Sequence, residues 1–284
     1  MSGIEVGMNE MEERNVFNTL TDAGAGVDEG HEPVWGVEAK RMFDTIVAER
    51  KARRRLEEHH LRPVSRVLLT GVPGTGKTTM AMSLADKLDM RLARVRADRL
   101  ITSDLGGTLR NIGVVFDVLG RETSYPTLLF LDEADALLTS RKNSSEDVAE
   151  MRRAANVFLQ AMDGWKSVHL LVAATNLADL IDPAALRRFD MVTEMPMTDK
   201  KTAERIIKAR FKEIMLEVGS ADTAMLAGHA EGLAPALILN AIDRQARTDI
   251  VAGKPVDLQA IADDLDRLRD KQAKKHSDKQ EEAK

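Results

Sequence analysis

Gly71-Val72-Pro73-Gly74-Thr75-Gly76-Lys77-Thr78-Thr79 decides how the rest of the chain is read. Arg66-Val67-Leu68-Leu69-Thr70 precedes it, apolar enough for a buried strand, and Met80-Ala81-Met82-Ser83-Leu84-Ala85 follows at helical spacing. Strand, glycine loop and helix are the context in which G-x-x-x-x-G-K-[ST] is a phosphate site. Glycines let the backbone curl so that successive N–H groups point inward, and the helix N-terminus adds positive dipole. Lys77 is placed to reach the β- and γ-phosphates of a nucleoside triphosphate, and the Thr78 hydroxyl to hold Mg²⁺. The binding set read from this stretch is Gly71, Pro73, Gly74, Thr75, Gly76, Lys77, Thr78 and Thr79.

Composition sets the bounds around that loop. The 284 residues suffice for one large domain or two modest ones. A formal net charge of −5 provides no global field for nucleic acid. Cysteine is absent, which removes disulfides and thiolate metal sites and fits a reducing, cytoplasmic setting. Met1 to Arg14 is acidic without an apolar core, so it does not read as a secretory signal. No apolar run approaches the roughly 18 residues of a membrane helix.

In chain order, residues 1–35 carry eight acids against Arg14 alone and read as a disordered acidic leader. Met8, Met11, Val16, Phe17 and Leu20 leave a short binding helix open as the alternative. Between Gly36 and Arg66 five acids face nine bases, and Val37, Met42, Ile46 and Val47 form a helical stripe. Arg53-Arg54-Arg55 reads as a solvated helix face, with a nucleic-acid or neighbour-subunit contact as the sharper option.

Further strands are expected at Arg91–Arg96, Thr127–Leu131, His169–Thr175 and, at an edge, Met191–Met195, with helices over Leu109–Leu119 and 148–163. Apolar strands alternating with helices mean an α/β parallel sheet covered on both faces. Beyond Thr198-Asp199 only helical patterns remain, at 200–217, 222–230, 235–252 and 257–269. The expected division is a leader at 1–35, an α/β domain at 36–198, a helical subdomain at 199–269 and a charged tail at 270–284.

The run Leu128-Leu129-Phe130-Leu131-Asp132-Glu133 complements the glycine loop. An acid at the C-terminal end of a parallel strand sits where open α/β sheets bind ligands. Asp132 is placed to hold Mg²⁺, directly or through water, and Glu133 to polarise a water for in-line attack. Paired acids favour hydrolysis over a kinase, which must exclude water. Ala173-Ala174-Thr175-Asn176 ends another buried strand, so that Asn176 can meet the γ-phosphate or the attacking water. In Ile181-Asp182-Pro183-Ala184-Ala185-Leu186-Arg187-Arg188-Phe189-Asp190, two adjacent arginines need partners, because an unpaired buried guanidinium is costly. A phosphate is one such partner, and a salt bridge to Asp190 or an acid of another subunit is the other.

Taken together, Gly71–Thr79, Leu128–Asp135, Ala173–Asn176 and Ile181–Asp190 resemble an AAA ATPase, in that family's order and spacing, over about residues 34–255. The resemblance implies a P-loop NTPase αβα sandwich with a five-stranded parallel sheet, an α-helical lid, ATP bound between them, and a ring, usually hexameric, with sites completed in trans. It makes Asp132 the Walker B acid, Asn176 the sensor-1 residue and Arg187 and Arg188 the arginine fingers. Catalysis would rest on Glu133, Lys77, Asn176, Arg187 and Arg188, with Mg²⁺ held by Thr78 and Asp132.

Glu231–Ile238 resembles the lid stretch near adenine, with Pro235-Ala236 where Gly-Ala is usual. The chain is further similar to small single-ring bacterial members of the family, some of which occur beside a subtilisin-like serine protease. Leu100–Thr108 resembles their first pore loop, but Asp104 stands where an aromatic grips threaded polypeptide, and Gly107 where Glu is frequent. The function implied is an oligomeric ATPase that remodels or regulates a protein partner, a protease being one candidate. A nucleic-acid motor or loader, using Arg53–Arg55 and Arg94-Val95-Arg96, and an ATP-switched scaffold are the alternatives.

Overall fold

The computed structural model describes residues 10–23, 33–102, 106–121, 125–139 and 146–282, which form two compact units. The first comprises Arg41–Gly71 and Lys77–Glu194 with the described part of the leader. The second gathers residues 33–40, Val72–Gly76 and the chain from Met195 onward.

Six strands make the sheet of the first unit: β1 (Thr21–Ala23), β2 (Arg66–Thr70), β3 (Arg91–Arg96), β4 (Thr127–Asp132), β5 (Leu170–Ala174) and β6 (Met191–Glu194). Their order is β1-β3-β4-β5-β2-β6. The five strands β2 to β6 are all parallel, as expected, and β1 adds an antiparallel sixth against β3. Val67, Leu68, Leu69, Leu128, Phe130 and every residue of β5 are buried, as continuous apolar runs covered on both faces must be.

The helices of this unit are α1 (Glu10–Leu20), α2 (Val37–Lys51, which begins in the second unit), α3 (Arg53–Glu58), α4 (Lys77–Lys87), α5 (Ala97–Leu100), α6 (Gly107–Arg121), α7 (Asp135–Leu138), α8 (Glu146–Asp163) and α9 (Pro183–Leu186). Phe116 of α6 meets Phe158 of α8 edge-on at 5.3 Å and Trp165 at 5.5 Å, a favoured aromatic geometry. Arg50 donates to the carbonyls of Ser167, Val168 and His169 at 2.7–3.0 Å, fixing the chain as it enters β5. Burial, aided by Arg53, lowers the Arg50 guanidinium to about 10.

The leader corrects an expectation. Over residues 10–23 it is folded, not disordered: Phe17 and Leu20 are buried in the main core with Val16 packed beside them, and Glu13 pairs with Arg121 of α6. Glu10 and Glu12 are exposed while the apolar residues recur at helical spacing, so spacing outweighs net charge here.

Four helices form most of the second unit: α10 (Lys200–Glu213), α11 (Ser220–Ala230), α12 (Pro235–Val251) and α13 (Leu258–Glu282). They close around Ile207, Phe211, Leu226, Ile238, Ile242, Ile261 and Leu265. Arg210 ties α10 to α12 through two bonds to Asp243 at 2.7 and 2.8 Å, a fork geometry suited to carboxylate. The last helix continues to Glu282, beyond its expected end at residue 269, so the charged tail is largely helical.

Candidate active site

Parallel strands bring their C-terminal ends to one edge of a sheet, and three adjacent ends here carry the residues singled out above. The order β4-β5-β2 puts the strand ending in Asp132 and the strand leading into the glycine loop on either side of β5, whose end leads to Asn176. The Ala134 N–H bonds the Ala174 carbonyl at 2.8 Å and the Thr175 N–H bonds Leu69 at 3.0 Å, locking the three ends together.

Lys77 opens α4 and is buried, with Nζ donating to the Gly71 carbonyl at 2.7 Å. Burial pushes its ammonium below the ordinary value, and the charges of Asp132 and Asp135 pull it back up. Thr175 Oγ1 donates to Asp135 at 2.7 Å and accepts the Leu177 N–H at 2.9 Å, holding the turn on which Asn176 is exposed. Glu133 is exposed with φ +56°, a backbone conformation uncommon outside glycine, and its N–H bonds Asp132 Oδ1 at 3.1 Å. Such strain recurs at functional positions.

Two residues beside these acids were not singled out as part of the site. Arg94 and Arg96 share one face of β3, two residues apart. Arg94 Nη2 donates to Asp132 Oδ2 at 2.8 Å, and Arg96 Nη2 lies 3.8 Å from Glu133 Oε2 while bonding Asp98 at 2.8 Å. In the Arg94-Val95-Arg96 run, Arg94 and Arg96 are thus each paired with acids of their own fold. The alternation of the run was the available signal; the register Arg96↔Asp132 that gives it meaning was not visible.

The paired arginines divide. Arg188 bonds Asp163 at 3.1 Å and the Ala184 carbonyl at 3.0 Å, while the exposed Arg187 side chain has no hydrogen bond or ion pair among the described residues. Neither meets Asp190, a correction to that option. Asp190 instead takes Arg66 at 2.6 Å and the Ser65 and Arg66 N–H groups at 2.9 Å.

Within the second unit the glycine bend is shaped by close neighbours. Gly74 has φ +84°, and a Cβ there would stand 3.0 Å from Ala236 Cβ; Gly76 has φ +95°, and a Cβ would stand 3.2 Å from Trp35 Cζ3. The Ala236 N–H, in the first turn of α12, bonds the Gly74 carbonyl at 3.2 Å. Pro235 fits that turn because its missing N–H would have no partner in the helix.

Thr78 and Asp132 offer hard oxygens, which suit Mg²⁺. Among the described residues no group of three or more His, Cys, Asp or Glu could hold a metal. One carboxylate and one hydroxyl completed by ligand phosphates is the arrangement Mg²⁺ takes without an all-protein cage.

Residues 67–197 match the family model described as ATPase family associated with various cellular activities (AAA). A Sinorhizobium fredii protein named as an uncharacterized AAA family ATPase is 36% identical over 191 residues, 67% of this chain and 57% of the relative. The chain belongs to the AAA family of ATPases.

Two further relatives match at lower identity. A proteasome-activating nucleotidase of Methanothermobacter thermautotrophicus is 32% identical over 188 residues, 64% of this chain and 45% of the relative. An ATP-dependent zinc metalloprotease FTSH 9, chloroplastic, of Arabidopsis thaliana is 32% identical over 244 residues, 83% of this chain and 28% of the relative. The chain spans about half the length of the first curated relatives it matches. Asp104, expected at a pore-loop position, lies outside the described residues. Among the described residues no helix is long and apolar enough to cross a membrane.

Proposed function

We propose that the chain hydrolyses ATP with Mg²⁺ and works as a cytoplasmic homo-oligomeric ring, a hexamer by family resemblance, that remodels or regulates a protein partner. The observation that carries this reading is the meeting of Lys77, Asp132, Glu133 and the Thr175–Asn176 turn at three adjacent parallel strand ends. The glycine loop Gly71–Thr79 wraps the phosphates, and Lys77 exchanges the Gly71 carbonyl for phosphate oxygens. Thr78 and Asp132 would hold Mg²⁺, which would supply charge neutralisation at the phosphates. Glu133 accepts a proton from the attacking water, which Asn176 orients. A base so placed contributes typically 10²–10⁴ in rate.

Arg187 supports the ring. An exposed guanidinium with no partner among the described residues is available to a phosphate held by another copy. Arg188, also proposed as a finger, would first have to leave Asp163. The proposed domains are 36–198 for the ATPase fold and 199–269 for the lid. A protein partner, with proteases among the candidates, is favoured by relatives named as a proteasome-activating nucleotidase and an ATP-dependent metalloprotease. Light scattering with and without Mg-ATP tests the assembly: an increase in mass to a discrete multiple of 31.4 kDa is expected, and a monomer under all conditions would contradict the ring.

A further inference from the structure

The Asp132 carboxylate, assigned above to Mg²⁺, is already counter-charged from within its own sheet. Its Oδ2 takes Arg94 Nη2 at 2.8 Å and its Oδ1 takes the Glu133 N–H at 3.1 Å. The Arg94 pair is a loosely built one. It is a single hydrogen bond and not a bidentate fork, and Arg94 Nε is buried with no hydrogen-bond partner among the described residues. Its guanidinium carbon lies 5.9 Å from the centroid of the buried Phe130 ring, so the cation rests over an aromatic face as it reaches the acid. The Arg94 side chain is 38% exposed against 22% for Asp132. Solvent therefore lies open to the cation, while the acid is also bonded to the Glu133 N–H.

We propose that Arg94 is a built-in competitor for the metal: it neutralises Asp132 while the site holds no Mg²⁺ and swings away when Mg²⁺ arrives with nucleotide. This rests on the reading of Asp132 as the metal-holding acid. An arginine that must be displaced weakens cation binding by the strength of its own contact. Removing it leaves Asp132 with less counter-charge, although Lys77 remains nearby. Hydrogen bonds to charged groups are worth several-fold to about a hundredfold in an equilibrium, and partial exposure moves this pair to the lower part of that range. The consequence is a site set to respond to a higher Mg²⁺ concentration than its own ligands would dictate.

The test is a Mg²⁺ titration of fluorescent mant-ATP binding to the full chain, wild type beside Arg94→Ala and Arg94→Gln, with thermal unfolding recorded for each. Arg94→Gln retains much of the stem if the smaller side chain disturbs folding. The half-saturating Mg²⁺ concentration is expected to fall about three- to tenfold in both variants, and Arg94→Lys should restore most of it. Adding Asp132→Asn to Arg94→Ala should abolish the gain, since the coupling belongs to the pair. An unmoved Mg²⁺ midpoint in a cooperatively folding variant would overturn the proposal and leave Arg94 a structural cation. Weaker nucleotide binding at saturating Mg²⁺ would also overturn it, by making Arg94 a contact of the nucleotide. Wild-type binding that ignores Mg²⁺ altogether would remove the metal reading of Asp132 and the proposal with it.

Discussion

Lys77 Nζ sits 2.7 Å from the Gly71 carbonyl, so the cation of the glycine loop is bonded to the residue that opens it. That bond ties the residue that follows β2 to the first residue of α4 across the bend. Lys77→Ala removes charge from a buried position that feels the carboxylates of Asp132 and Asp135. Two lost charge-assisted bonds correspond to about a hundredfold weaker binding. Titration calorimetry with ATP should show that loss beside an unfolding midpoint close to that of wild type.

Arg187 and Arg188 are adjacent in sequence but differ in surroundings. Arg187→Ala should lower turnover without changing stability, since its side chain has no hydrogen bond or ion pair among the described residues to lose. Arg188→Ala should also cost stability, by less than about 1 kcal/mol, because the Asp163 pair is partly exposed. Mixing Arg187→Ala protein with Lys77→Ala protein should recover part of the turnover, because each supplies what the other lacks. Phosphate release that stays flat at every mixing ratio would show that Arg187 does not act in trans.

Asp190 gives the fold an acid-sensitive clasp. Burial alone would raise its carboxyl, but the Arg66 guanidinium and the Ser65 N–H and hydroxyl outweigh burial and hold it below the usual 3.8. A folded value below the unfolded one contributes stability that is full above about pH 4 and is lost as pH falls toward the folded value. Asp190→Asn should cost about 1–2 kcal/mol at neutral pH. It should also flatten this acid limb in denaturant melts taken from pH 5 to pH 2.

Much of this was legible in the chain because local rules and tertiary placement agree. Leu128–Leu131 and Leu170–Ala174 are too apolar for anything but strands covered on both faces, and Gly71–Thr79 sits where such a strand passes into a helix. Parallel direction then sends Asp132 and Asn176 to one edge without further information. The features that escaped notice depend on register. Arg94 and Arg96 are ordinary strand residues until β3 is laid beside β4 with Arg96 opposite Asp132. The leader misled because its acids dominate composition, whereas Phe17 and Leu20 decide its packing. Arg188 and Asp163 are 25 residues apart, and no local rule pairs them.

Glu133 carries the central claim, that this AAA chain hydrolyses the nucleotide it holds. It stands at φ +56° beside Asp132, exposed where a water could be polarised. The direct measurement is steady-state phosphate release from Mg-ATP by wild type and Glu133→Gln, with nucleotide affinity measured in parallel. Affinity should be preserved while turnover falls by about a hundredfold or more. Turnover in Glu133→Gln equal to wild type, or no ATP-dependent phosphate release from the folded wild-type chain, would contradict it.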